Sequence, residues 1–142
     1  MKPDKTTEFL TMADKIKVLL IDEDENFCRL IKQFFQAQGG YKVLVAKGGG
    51  MGTFLTKMRW HKPHIVLLDI RMPGIDGFEV LRRIRQDKAT MYLPVIMVTG
   101  VGELSAKIKA EGLYCTDYIV KPFDLNGLLA KVNALLKQRG ID

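Results

Sequence analysis

The sequence predicts an α/β domain, a parallel sheet of five strands with five helices packed on its two faces. Three observations carry this. Short apolar runs rich in β-branched residues recur at "IKVLLI" (16–21), "YKVLVA" (41–46), "HIVLLDI" (64–70), "LPVIMVTG" (93–100) and "DYIV" (117–120). Most of them are continuous rather than alternating in hydrophobicity, as in strands covered on both faces. Segments with helical spacing stand between them, and strands alternating with helices imply a parallel sheet.

Each element has its own signals. After the first strand and an acidic turn, Phe27, Leu30, Ile31 and Phe34 recur at helical spacing, and Gly39 and Gly40 stop that helix. The second strand runs into "AKGGGMGTF" (46–54), then "TFLTKMRW", a helix with a weak start. Each interior glycine there costs about 1 kcal/mol relative to alanine, so this stretch is expected to be the most mobile ordered segment. Pro63 fits the start of the third strand. "MPGIDG" (72–77) is a turn, and Phe78, Leu81 and Ile84 mark the third helix, with Asp76 as its expected N-cap. "ELSAKIKAEG" (103–112) is a fourth helix ended by Gly112. The last helix is capped by Asp124 and ended by Gly140, with Leu125, Leu128, Leu129, Val132, Leu135 and Leu136 on one face. Residues 1–14 are polar without sustained periodicity and are expected to form a flexible tail before a domain spanning 15–142. Met12 opens a complete domain start by itself, so the first eleven residues are expected to be dispensable.

A chain of 142 residues suits one domain with a single core. No apolar run is long enough to span a bilayer, and the amino terminus lacks an apolar signal core. A cytoplasmic protein without membrane contact is expected. Cys28 and Cys115 offer neither a disulfide framework nor zinc spacing and read as small buried thiols. The net charge of +6 is spread over several segments without a run of five like charges, so direct nucleic-acid binding is not expected. His61 and His64 flank Pro63 without further ligands nearby in sequence, which disfavours a metal site.

In an open parallel sheet, ligands bind beyond the carboxyl ends of the strands. Asp22 and Glu23 end the first strand, Asp69 the third and Thr99 the fourth, and Lys121 follows the fifth. A dinucleotide pyrophosphate needs glycines and a helix amino terminus after the first strand. "DEDEN" stands there instead and would repel an anion. The glycines after the second strand lack a lysine–hydroxyl signature and fail as a P-loop. The acids suit a hard divalent cation, and magnesium prefers a few carboxylate oxygens with several waters. Their bland alternative is helix capping, which fits Asp24 or Glu25 better than Asp22, Glu23 and Asp69.

"KVLLIDEDE", "LLDIRMPGIDGFEVL", "VIMVTG" and "DYIVKPF" together resemble the successive motifs of response regulator receiver domains, the phosphorylated half of two-component signalling. The likeness runs from about Lys15 to Leu136, and it is closest to chemotaxis-type single receivers. It implies a flavodoxin-like, doubly wound sheet of order 2-1-3-4-5, which sets the first and third strands side by side. It also implies that Asp69 accepts a phosphoryl group from the phosphohistidine of a kinase or phosphotransfer protein. Asp22, Glu23 and Asp69 would hold Mg2+ with the backbone carbonyl of Arg71, Asp22 through water. Thr99 would hydrogen-bond the phosphoryl group, Lys121 would pair with its charge, Pro122 would follow a cis bond, and Tyr118 would be the switch aromatic. The expected output is a protein contact through the fourth helix, fifth strand and fifth helix, made basic by Lys107, Lys109, Lys131 and Lys137.

The chain departs from the family where Glu23 stands for the commoner aspartate. Arg71 and Val101 occupy positions that border the phosphoryl site, a guanidinium and an apolar side chain from which a long-lived phosphoryl group is expected. Such a chain is a switch that catalyses only its own phosphorylation and dephosphorylation. A metal-dependent phosphatase with Asp69 as nucleophile is the alternative, but Arg71 replaces the second acid of its D-x-D motif. A receiver that works without phosphorylation is a third reading, disfavoured by intact Asp69, Thr99 and Lys121.

Overall fold

A computed structural model describes residues 15–47, 61–72, 74–100 and 115–140. Five parallel strands form one sheet: β1 (Ile16–Ile21), β2 (Tyr41–Ala46), β3 (Ile65–Asp69), β4 (Val95–Thr99) and β5 (Asp117–Val120). Their order is β2-β1-β3-β4-β5, as expected. Three helices are described, α1 (Glu25–Gln38), α2 (Gly77–Gln86) and α3 (Leu125–Gln138). The helices expected after Gly52 and over 103–112 lie outside the described residues, as do the 1–14 tail, Met12, the Gly48–Gly52 stretch, Val101, Lys107 and Lys109. Among the described residues, no helix is long and apolar enough to cross a membrane.

The continuous strand runs are explained by two buried clusters on opposite faces. Leu19, Ile21, Val66, Leu68, Val95 and Met97 pack with Phe78, Leu81 and Ile84 of α2. Val18, Leu20, Ile65, Leu67, Ile96 and Val98 pack with Ile31 and Phe35 of α1 and Leu128, Val132 and Leu136 of α3. Alternate residues of each strand therefore serve different helices, and a slip of one residue would exchange both cores at once. That double constraint fixes the register of each strand.

The caps follow the sequence signals. Asp24 caps α1 by accepting from the Asn26 and Phe27 amides, and Asp124 caps α3 by accepting from the Asn126 amide. Gly39 and Gly40 have positive φ and turn the chain from α1 into β2. Three expectations are refined. Leu30, placed on the apolar face of α1, is 49% exposed, while Phe35 is fully buried against the rings of Phe34 and Tyr41. The turn at 72–77 sits in a two-stranded antiparallel ribbon of Arg71–Met72 and Ile75–Asp76, with Gly74 at positive φ. α2 then starts at Gly77; the Asp76 side chain, its expected cap, lies outside the described part. Cys28 is buried, but Cys115 is only partly so.

Gly77 ties α2 to the end of β3. Its amide donates to the Ile70 carbonyl at 3.0 Å. A Cβ there would clash with the Asp69 carbonyl oxygen and stand 2.7 Å from Ile70 Cα. Backbone would have to move, because neither neighbour is a flexible side-chain end. Gly77→Ala is expected to cost about 1–3 kcal/mol, despite alanine's better helix propensity. A thermal melt showing equal or higher stability would contradict this close approach.

His64 is accounted for structurally. Its Nδ1 accepts from the Lys17 amide at 2.9 Å, and its own amide donates to the Lys17 carbonyl at 2.8 Å. Burial, followed by the Lys17 charge, holds its pKa below 6.5. As the pH falls, the unfolded chain therefore takes up the proton first. Stability from this contact is fully present above about pH 6.5 and is lost as the pH falls through the lower folded value. Denaturant unfolding at about pH 7.5 and about pH 5.5 checks this. Acidification is expected to weaken the parent more than His64→Gln, and equal losses would rule out the contact.

Candidate functional site at the strand carboxyl ends

Register brings the acids together. Ile21 partners Leu68, so Asp22 and Asp69 follow side by side on adjacent strands. Asp69 partners Val98, and Thr99 partners Val120. The Lys121 amide then donates to the Thr99 carbonyl, which fixes the backbone just beyond β5. Asp22, Asp69, Thr99 and Lys121 thus occupy one edge of the sheet, as the strand ends predict.

Among the described residues, Asp22 is the charged side chain set deepest, with only 1% of the residue exposed. Its Oδ1 accepts from the Asp24 amide at 2.9 Å, which shapes the turn into α1. Its Oδ2 is buried without a hydrogen bond. Lys121 Nζ stands 3.6 Å from that oxygen, beyond the usual distance of about 2.7–2.9 Å for an ammonium–carboxylate bond. A buried carboxylate oxygen left in this state is costly, and an ion pair of such length repays little of the desolvation. The pair with Lys121 therefore contributes little stability.

Thr99 is buried at the end of β4, and Asp69 is half-buried at the end of β3. Glu23 is half-buried in the turn after Asp22. Arg71 opens the short ribbon, which sets its backbone two residues past Asp69; its side chain lies outside the described part. Tyr118 is partly buried and packs on the cluster under α2. The Lys121–Pro122 bond is cis, as expected. Among the described residues, no three His, Cys, Asp or Glu side chains stand together as a ready metal cage. Magnesium does not need one, since it takes one or two carboxylates and keeps its waters. Asp22 Oδ2, a buried anionic oxygen without a hydrogen bond, is the feature that fits such a cation.

Two residues of this region were not singled out by the sequence. Gly77, read as part of a turn, lets α2 approach the Asp69 backbone. Phe27, read as helix core, carries the Lys121 ammonium over its ring at 4.0 Å from the centroid. The first had a signal, a glycine opening a helix in "IDGF". The second had none, because the contact joins residues 94 positions apart (121 − 27).

Known proteins resemble this chain in sequence and fold. The model of the response regulator receiver domain matches residues 18–133. The DNA-binding dual master transcriptional regulator RpaA of Synechocystis sp. is 35% identical over 122 residues, covering 86% of this chain and 49% of that protein. PilH of Pseudomonas aeruginosa is 34% identical over 120 residues, covering 84% of this chain and 97% of that protein. The chain thus spans about half the length of RpaA and nearly all of PilH. The chemotaxis response regulator CheY4 of Vibrio cholerae superposes with a TM-score of 0.75 at 25% identity, covering 86% of this chain and 99% of that one. A CheY-like receiver domain protein of Methanospirillum hungatei gives a TM-score of 0.77 at 26% identity, covering 89% and 97%. From the strand-end acids, the sheet order and these likenesses together, the chain belongs to the response regulator receiver domain family, the phosphorylation-dependent switches of two-component signalling.

Proposed function

We propose that Asp69 is the phosphoacceptor, and that its phosphorylation by a histidine kinase or phosphotransfer protein switches a protein-binding surface. The observation that carries this is the buried Asp22 Oδ2, without a hydrogen bond and only loosely paired with Lys121, level with Asp69 on the neighbouring strand. In the step itself, an Asp69 carboxylate oxygen forms a bond to phosphorus as the phosphorus–nitrogen bond of the donor phosphohistidine breaks. The imidazole leaves with the bonding pair and takes up a proton. Glu23, Asp69 and the Arg71 carbonyl, with Asp22 through water, would hold Mg2+, which supplies charge neutralisation between the anionic nucleophile and the phosphoryl group. Lys121 is placed to add a second positive charge at the same edge, and Thr99 to donate its hydroxyl to a phosphoryl oxygen.

The switch follows from local packing. A new dianionic group beside Thr99 draws the hydroxyl towards it, and Tyr118, packed on the same face of the sheet as α2, turns into the space vacated. The surface that reads this change includes β5 and α3. Lys137 is exposed there, whereas Lys131 is already paired with Asp117 at 3.0 Å, so less of the face is free positive charge than a count of lysines suggests. An acidic protein surface remains the proposed partner. The proposal includes a domain spanning 15–142 after a dispensable tail and a cytoplasmic setting, where the phosphodonor would reach it.

Intact mass after incubation with magnesium and acetyl phosphate or phosphoramidate tests the reading. One phosphoryl adduct is expected, absent in Asp69→Ala and absent when EDTA removes the metal. Donor turnover without an adduct would favour the phosphatase, and inertness a receiver that works unphosphorylated. Either result would overturn the proposal.

A further inference from the structure

Among the described residues, the Lys121 ammonium lies near both an aromatic ring and a carboxylate. Nζ lies 4.0 Å from the centroid of the Phe27 ring and 3.6 Å from Asp22 Oδ2. The carboxylate oxygen has no hydrogen bond, so a short movement of the flexible lysine would satisfy both groups. The ammonium rests over the ring while its distance to Oδ2 stays at that of a loose ion pair. An aromatic face carries negative potential and attracts a cation, more strongly where water is partly excluded. Lys121 is 30% exposed in its side chain, so part of that shielding is present.

The ring is itself held. The Phe27 amide donates to Asp24 Oδ1 at 3.1 Å, in the cap that starts α1. The ring meets Phe123 edge-on at 6.1 Å with an interplanar angle of 89°. Phe123 comes two residues after Lys121, so the segment that carries the lysine also braces the ring on which it rests. The whole unit depends on α1 and the end of β5 meeting across the sheet edge.

An ammonium at full hydrogen-bond distance would occupy Asp22 Oδ2 and set a positive charge where a divalent cation must approach. We propose that Phe27 is a positioning residue for magnesium uptake, its ring holding the Lys121 ammonium off Asp22 Oδ2 and keeping that oxygen open to the cation. The inference rests on the reading of Asp22 as a magnesium ligand. It assigns Phe27 a role through Lys121, without contact to the metal or the phosphoryl group.

Calorimetric titration of the full chain with magnesium tests it without any phosphodonor. Phe27→Leu removes the ring's negative face and is expected to weaken magnesium binding about fivefold. Phe27→Tyr, which keeps the ring face, is expected to bind as the parent does. A ring-fluorinated phenylalanine at position 27 keeps the shape but depletes the face, and should behave like Phe27→Leu even if that variant folds poorly. In a Lys121→Ala background, the loss caused by Phe27→Leu should vanish, because no ammonium is left to compete. An equal loss in both backgrounds, or none in the fluorinated protein, would overturn the inference. Asp22→Asn separates the two claims. Parent-like magnesium affinity in Asp22→Asn removes the reading of Asp22, whereas lost affinity there with an unaffected Phe27→Leu removes the role of Phe27 alone.

Discussion

Asp22 carries a carboxylate into a buried place at the end of β1, and the rest of the site is arranged around that fact. Its Oδ1 is committed to the turn, while Oδ2 has only Lys121, at 3.6 Å. The carboxylate comes from the end of β1 and the ammonium from beyond β5, with β3 and β4 between them. The order 2-1-3-4-5 sets these strand ends along one edge of the sheet. A protein selected for stability alone would fill such a place with apolar side chains, because a loosely paired buried charge contributes little.

The two-sided core makes this alignment rigid. Leu19 and Ile21 face α2, while Val18 and Leu20 face α1 and α3. Neither set can shift register without breaking the other, so the residues just past each strand are held in fixed relation. Gly77 extends the same constraint to α2, whose first residue lies against the Asp69 backbone with no room for a side chain. The phosphoacceptor reading therefore depends on a carboxylate whose main chain is clamped from two directions, by the β4 register and by α2.

Much of this was legible in the sequence, because the signals were local. The continuous apolar runs ended at Asp69 and Thr99 in the sequence and do so in the structure, and "DYIV" is β5 residue for residue. Asp24 and Asp124 were readable as caps because a short acid next to an apolar-periodic segment has one common use. Periodicity failed where two faces compete. Phe27, Leu30, Ile31 and Phe34 formed a convincing stripe, yet the helix turns so that Cys28, Ile31 and Phe35 are buried and Leu30 is half exposed. The Phe27–Lys121 contact was out of reach for a different reason. It depends on where α1 and the end of β5 meet in space, and no spacing within either segment encodes that meeting.

The central claim is that this edge of the sheet makes one carboxylate, Asp69, the residue that is phosphorylated. Borohydride reduction followed by peptide mapping tests it directly, since hydride converts an aspartyl phosphate into homoserine and marks the carbon that carried it. After treatment with magnesium and a small phosphodonor, homoserine is expected at position 69. Homoserine at another aspartate, or an adduct that borohydride does not touch, would contradict the account.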